Sequence, residues 1–211
     1  MNVVRLCLLS SLLILAVQDA QAELPLVYDL VVPSRTNETL WPIKDGDLSS
    51  LESEYEPVMP SGREAAIYWQ SGWGEPGVVV LFKDAKGGYQ VGTEKRRIKG
   101  TERGLDFADL EPQLAQRLIK LIVHELARVG RGQKNNSVYV DVGYYYFTAA
   151  SMTKSTGWTH GADDDTTLGR LCRVVDALTG LPNLTGSDRT RLLGEIDRGI
   201  TAIEVAHKQH R

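Results

Sequence analysis

Glu111-Pro112-Gln113-Leu114-Ala115-Gln116-Arg117-Leu118-Ile119-Lys120-Leu121-Ile122-Val123-His124-Glu125-Leu126-Ala127-Arg128-Val129 reads as one amphipathic helix, and the fold follows from what flanks it. At about 100° per residue, Leu114, Leu118, Leu121, Ile122, Leu126 and Val129 fall on one broad apolar arc. Arg117, Lys120, His124 and Arg128 fall opposite. Asp109 stands where an N-cap would, Pro112 occupies the first turn, and Gly130 and Gly132 end the helix. So wide an apolar face predicts packing on a sheet.

The residues before the helix supply strands. Gly77 to Lys83 contains Val78-Val79-Val80-Leu81-Phe82 without alternation, as in a strand buried on both faces. Lys86-Gly87-Gly88 reads as a hairpin turn into Tyr89-Gln90-Val91, followed by the basic stretch Lys95 to Lys99. Ala65 to Gln70 is β-rich, as is Leu26 to Val32 between Pro25 and Pro33. Ser34 to Pro60 is polar, acidic and turn-rich, a surface loop with at most a short helix.

Beyond the helix, Val138 to Ala149 has the strongest strand pattern in the chain. It reads either as one alternating strand or as two short strands joined at Asp141-Val142-Gly143. Ala150 to Ala162 reads as a polar loop. One helix starts near Asp165-Thr166, carries Leu168, Leu171, Cys172, Val175 and Leu178, and stops at Thr179-Gly180-Leu181-Pro182. The last is capped by Ser187 and carries Leu192, Ile196, Gly199, Ile200 and Ile203. Strands, a helix, a further strand and two helices predict an α+β domain, with an antiparallel or mixed β-sheet packed on one side by about three helices.

The first 22 residues carry an export pattern. Arg5 precedes the apolar run Leu6 to Val17, and Ala20-Gln21-Ala22 is a small-x-small cleavage site. This predicts a signal peptide over residues 1–22, cleaved after Ala22, and a single domain over 23–211. The run is too short for a membrane span of about 20 residues, and no Cys follows the site to take a lipid. Cys7 leaves with the signal, so Cys172 has no disulfide partner within the mature chain. That favours the bacterial periplasm or exterior, against three Asn-x-Ser/Thr sequons at Asn37, Asn135 and Asn183. A net charge of −3 gives no pull toward nucleic acid or anionic lipid.

Several tempting motifs fail on context. Gly72-Trp73-Gly74-Glu75-Pro76-Gly77 has the letters of the dinucleotide fingerprint, but a strand follows it where a helix is needed. His124-Glu125 lacks a second imidazole one turn on, because Arg128 stands there. Glu125 falls inside the apolar arc and needs a partner, most simply a structural ion pair. Ser151-Met152-Thr153-Lys154 follows a strand where the S-x-x-K serine would open a helix. Cys172 sits in a helix stripe, as a small hydrophobe does, and His207 and His210 fall in a tail that reads as frayed. No catalytic residue, metal ligand or cofactor is therefore assigned.

What remains is a loop with Lys154, Trp158, His160 and Asp163, and a second around Trp69 and Trp73. Tryptophan in polar, glycine-bounded loops suits partner or ligand contact. The expected function is a non-catalytic exported binding protein, inhibitor- or immunity-like, that meets a protein or an envelope component. The alternative is a small exported hydrolase with a dispersed site at Glu125, His160 and Asp163.

Overall fold

In chain order the elements are β1 (Trp41–Pro42), α1 (Ser49–Tyr55), β2 (Arg63–Gln70), β3 (Gly77–Lys83), β4 (Tyr89–Glu94), β5 (Leu105–Leu110), α2 (Pro112–Leu126), β6 (Tyr144–Ala149), β7 (Gly157–His160), α3 (Thr167–Gly180) and α4 (Gly186–Gln209). They come from a computed structural model that describes residues 40–42, 48–70, 76–94, 104–129, 144–152, 157–160 and 166–209. The chain divides into two compact units, Met1–Val32 and Pro33–Arg211, and all described residues lie in the second. Residues 1–22, expected to be a signal peptide, the β-rich run at 26–32, the basic stretch at 95–99 and residues 138–143 lie outside the described residues.

The strands form one seven-stranded sheet in the order β1-β7-β6-β2-β3-β4-β5, and every pairing is antiparallel. The α+β arrangement read from the element order is the observed one. β3 sits near the middle, and its unbroken apolar run serves both faces. Val79 and Leu81 join Ala65, Ile67, Val91, Phe147 and Ala149 in the larger core. Val78, Val80 and Phe82 join Ala66 and Tyr68 in a smaller one. The β3–β4 hairpin turns at Gly87, whose φ of 82° needs glycine. The Asp84 carboxylate accepts from the Lys86 and Gly88 amides at 2.8 Å each, fixing the turn.

The larger core is closed by α2, α3 and α4, through the stripes of leucine and isoleucine seen in the sequence. α3 is capped by Thr166, whose hydroxyl accepts from the Gly169 amide at 2.9 Å. α3 and α4 cross closely at Gly199, where a Cβ would come 2.7 Å from Val174 Cγ2.

Four features depart from the sequence expectation. The sheet is not bare on its second face, because α1 covers the smaller core with Leu51 and the fully enclosed Tyr55. The Tyr55 hydroxyl sits between the Pro76 carbonyl oxygen at 2.8 Å and Glu94 Oε2 at 2.7 Å. Asp109 lies in β5 and accepts from Gln90 Nε2 at 2.9 Å, so it does not cap α2; Glu111 holds the cap position without a side-chain hydrogen bond. Residues 157–160, expected in a loop, form the strand β7, inserted between β1 and β6. α4 starts at Gly186, φ 55°, which puts Ser187 inside its first turn.

Candidate functional site

Among the described residues, the contact residues expected from sequence stand on two strands, β2 and β7, with β6 between them. Lys154, Trp73 and Asp163 lie outside the described residues. Trp158 and His160 belong to an inner strand, where Trp158 pairs in register with Tyr146 and Trp41, and His160 with Tyr144. Trp69 is half-buried in β2 and packs on the larger core. Its ring lies over Gly77, its cross-strand partner, where a Cβ would come 2.0 Å from the indole. That contact gives Trp69 a packing role.

A different constellation appears where α2 meets α4. On α2 the buried stripe runs Leu114, Leu118, Leu121, Ile122 and then Glu125. On α4 it runs Ile196, Ile200 and Ile203 at helical spacing, and the next residue in that series is His207. A titratable side chain thus interrupts the α2 stripe just before the buried Leu126 and another follows the α4 stripe, and the two meet. His207 Nε2 lies 2.8 Å from Glu125 Oε1, with the carboxylate wholly buried and the imidazole 13 % exposed. The approach is a close polar contact without the alignment of a linear hydrogen bond. Arg128 Nη1 stands 3.4 and 3.5 Å from the two Glu125 oxygens. The His124 ring packs against that of His207 with centroids 4.3 Å apart. One ligand atom from each of His124, Glu125 and His207 can be chosen so that all lie within 4.8 Å of one another.

An adjoining bond network sets the register of the two helices. Arg117, two turns before His124, donates from Nε and Nη2 to the two oxygens of Glu204 at 2.9 Å each. It also binds Asp197 and the Thr201 hydroxyl. This planar two-point contact holds the Glu204 carboxyl below the usual carboxylate range. It also brings His207, one turn beyond Glu204, over Glu125. The surface here is a groove of about 380 Å³ lined by Arg117, Lys120, His124, Glu204, His207 and Lys208. Its chemistry is that of a buried carboxylate matched to imidazole, under a cationic rim.

His207 is the residue that sequence reasoning missed. The signal was present in two halves: Glu125 in an apolar arc demanded a partner, and the α4 stripe extended to His207 once the helix was allowed to run to Gln209. His124, expected on a solvated face, is half-buried instead. A second polar pair lies across the larger core, where the Tyr145 hydroxyl donates to Asp176 Oδ1 at 2.9 Å and Cys172 is buried one turn away. No family model, curated protein or solved structure matches this chain.

Proposed function

We propose that this chain is an exported, non-catalytic binding protein and that it receives a protein partner at the β5 edge of its sheet. The observation that carries the reading is Phe107, 50 % exposed on that edge strand. Its ring is held before any partner arrives. It lies over Gly92, where a Cβ would come within 3.0 Å, and edge-on to Phe82 at 5.4 Å and 71°. A preset aromatic loses little conformational freedom on binding, which is how such residues become anchors.

The backbone beside it is suited to the same task. The Asp109 carbonyl accepts from Arg189 Nη2 at 2.6 Å, so it faces away from β4. By the two-residue alternation of a strand, Leu105 and Phe107 direct their N–H and C=O groups the same way. Such an edge accepts an extended segment as an added strand. Export is supported by the signal pattern of residues 1–22. The test is capture from envelope extract by wild type and by Phe107→Asp. One stoichiometric protein should be held by wild type and lost, by roughly tenfold or more in affinity, from a variant with unchanged circular dichroism. Equal retention by both would overturn the reading.

A hydrolase reading is favoured by one observation, the Glu125–His207 contact beside a groove, since a buried carboxylate can orient an imidazole as a base. Turnover of chromogenic esters, peptides or glycosides that disappears in His207→Ala would replace the binding reading with this one.

A further inference from the structure

We propose that His124, Glu125 and His207 form a binding site for a divalent transition-metal ion of the zinc class. The site is distinct from the β5 edge and does not depend on the proposed partner. Two imidazoles and one carboxylate, with a side open to a groove, are the donor set of a three-ligand site that keeps a fourth position for water or a ligand. The set has no thiolate to prefer Cu(I), and its single carboxylate is too few hard oxygens for Ca²⁺.

Distances are compatible with closure around an ion. A tetrahedral site with metal–ligand bonds of about 2.1 Å separates its ligand atoms by about 3.4 Å. Here His207 Nε2 and Glu125 Oε1 are 2.8 Å apart, and all three ligand atoms lie within 4.8 Å. The Glu125–His207 separation lies below the required one and the 4.8 Å limit above it, so closure asks for small side-chain shifts. Arg128 approaches Glu125 no closer than 3.4 Å and is 31 % exposed, so it can withdraw to solvent when a cation takes its place. The groove gives the ion a path, and the Arg117–Glu204 contact fixes the spacing of the helices that carry the ligands. The arrangement completes across two helices what His124-Glu125 lacks along one, since Arg128 occupies the position where a second histidine would follow.

The sequence has four histidines, at 124, 160, 207 and 210, which makes the test complete with four single variants. The full chain, stripped with chelator, is titrated with ZnCl₂ by calorimetry and with CoCl₂ by its visible d–d absorption. One equivalent should bind wild type, His160→Gln and His210→Gln alike. His124→Gln and His207→Gln should each weaken binding at least roughly tenfold and lower the d–d intensity. Should His207→Gln disturb the fold, His124→Gln decides, because its ring is only half-buried. No stoichiometric binding, binding that survives in a folded His124→Gln or His207→Gln protein, or binding lost with His210→Gln would overturn the site.

Discussion

His207→Leu, measured in chelator, should destabilise the protein more than Glu125→Leu does. The Glu125 side chain has no exposed surface, with the His207 imidazole 2.8 Å away and the Arg128 guanidinium at 3.4 Å. Removing His207 takes a 2.8 Å polar contact from a wholly buried carboxylate while Arg128 stays at 3.4 Å, which should cost about 1–3 kcal/mol. Glu125→Leu removes the buried carboxylate itself and leaves a part-exposed imidazole, and so should cost less, about 0.5–1.5 kcal/mol. The double variant replaces both polar groups with apolar ones along two apolar stripes, and should be neutral to stabilising by about 1–4 kcal/mol. Urea unfolding reads all three. With an m-value of about 2 kcal/mol/M, His207→Leu should lower the midpoint by about 0.5–1.5 M, and the double variant should restore it. The reasoning is refuted if His207→Leu costs under about 1 kcal/mol, or if the two single effects simply add.

Two further substitutions probe the sheet. Tyr68 is fully buried with its hydroxyl unpaired among the described residues, so Tyr68→Phe should be neutral or raise stability by about 1 kcal/mol at neutral pH; a loss of that size would show that the hydroxyl has a partner. Burial, opposed by the Arg63 charge, pushes the Tyr68 phenol up to about 12. The folded chain therefore keeps a proton that the unfolded chain releases near pH 10, and stability falls between pH 10 and 12 by up to about 2–3 kcal/mol. Tyr68→Phe should flatten that alkaline fall; an unchanged slope would count against it. Gly77→Ala places a methyl where the Trp69 indole lies, 2.0 Å away, and should cost about 1–3 kcal/mol with a shifted tryptophan emission; unchanged stability and emission would show that the ring is not held there.

The parts of the fold legible in sequence are those where one physical requirement dominates. Val78 to Phe82 could only be a strand enclosed on both sides, and the leucine stripe of α2 could only face a core. The described part of Val138 to Ala149 is the strand Tyr144–Ala149, which places Tyr145 and Phe147 against the larger core and Tyr146 against the smaller one. β5 was missed because Asp106 breaks the apolar alternation on the face it shares with Ala108 and Leu110. Gly157–His160 is four residues long, too short to display a period, and is a strand because neighbours on both sides pair with it. The candidate site was legible only in half. Glu125 announced a need, but its partner comes from another helix near the far end of the chain, and pairings of that kind are set by packing, which sequence spacing does not encode.

The contacts from Arg117 to Asp197 and Glu204, and from Glu125 to His207, all advance in the same direction along both helices, so α2 and α4 run parallel here. Parallel neighbours bring two carboxyl-terminal ends together, each carrying roughly half a negative charge from its aligned peptide dipoles. Two such ends side by side repel unless positive charge gathers between them. Arg128 beside Glu125 and Lys208 on the groove put positive charge in this place, where it answers the field of the backbone as well as the Glu125 carboxylate. A cation arriving at the junction meets a potential that the main chain set up before any ligand side chain turned toward it.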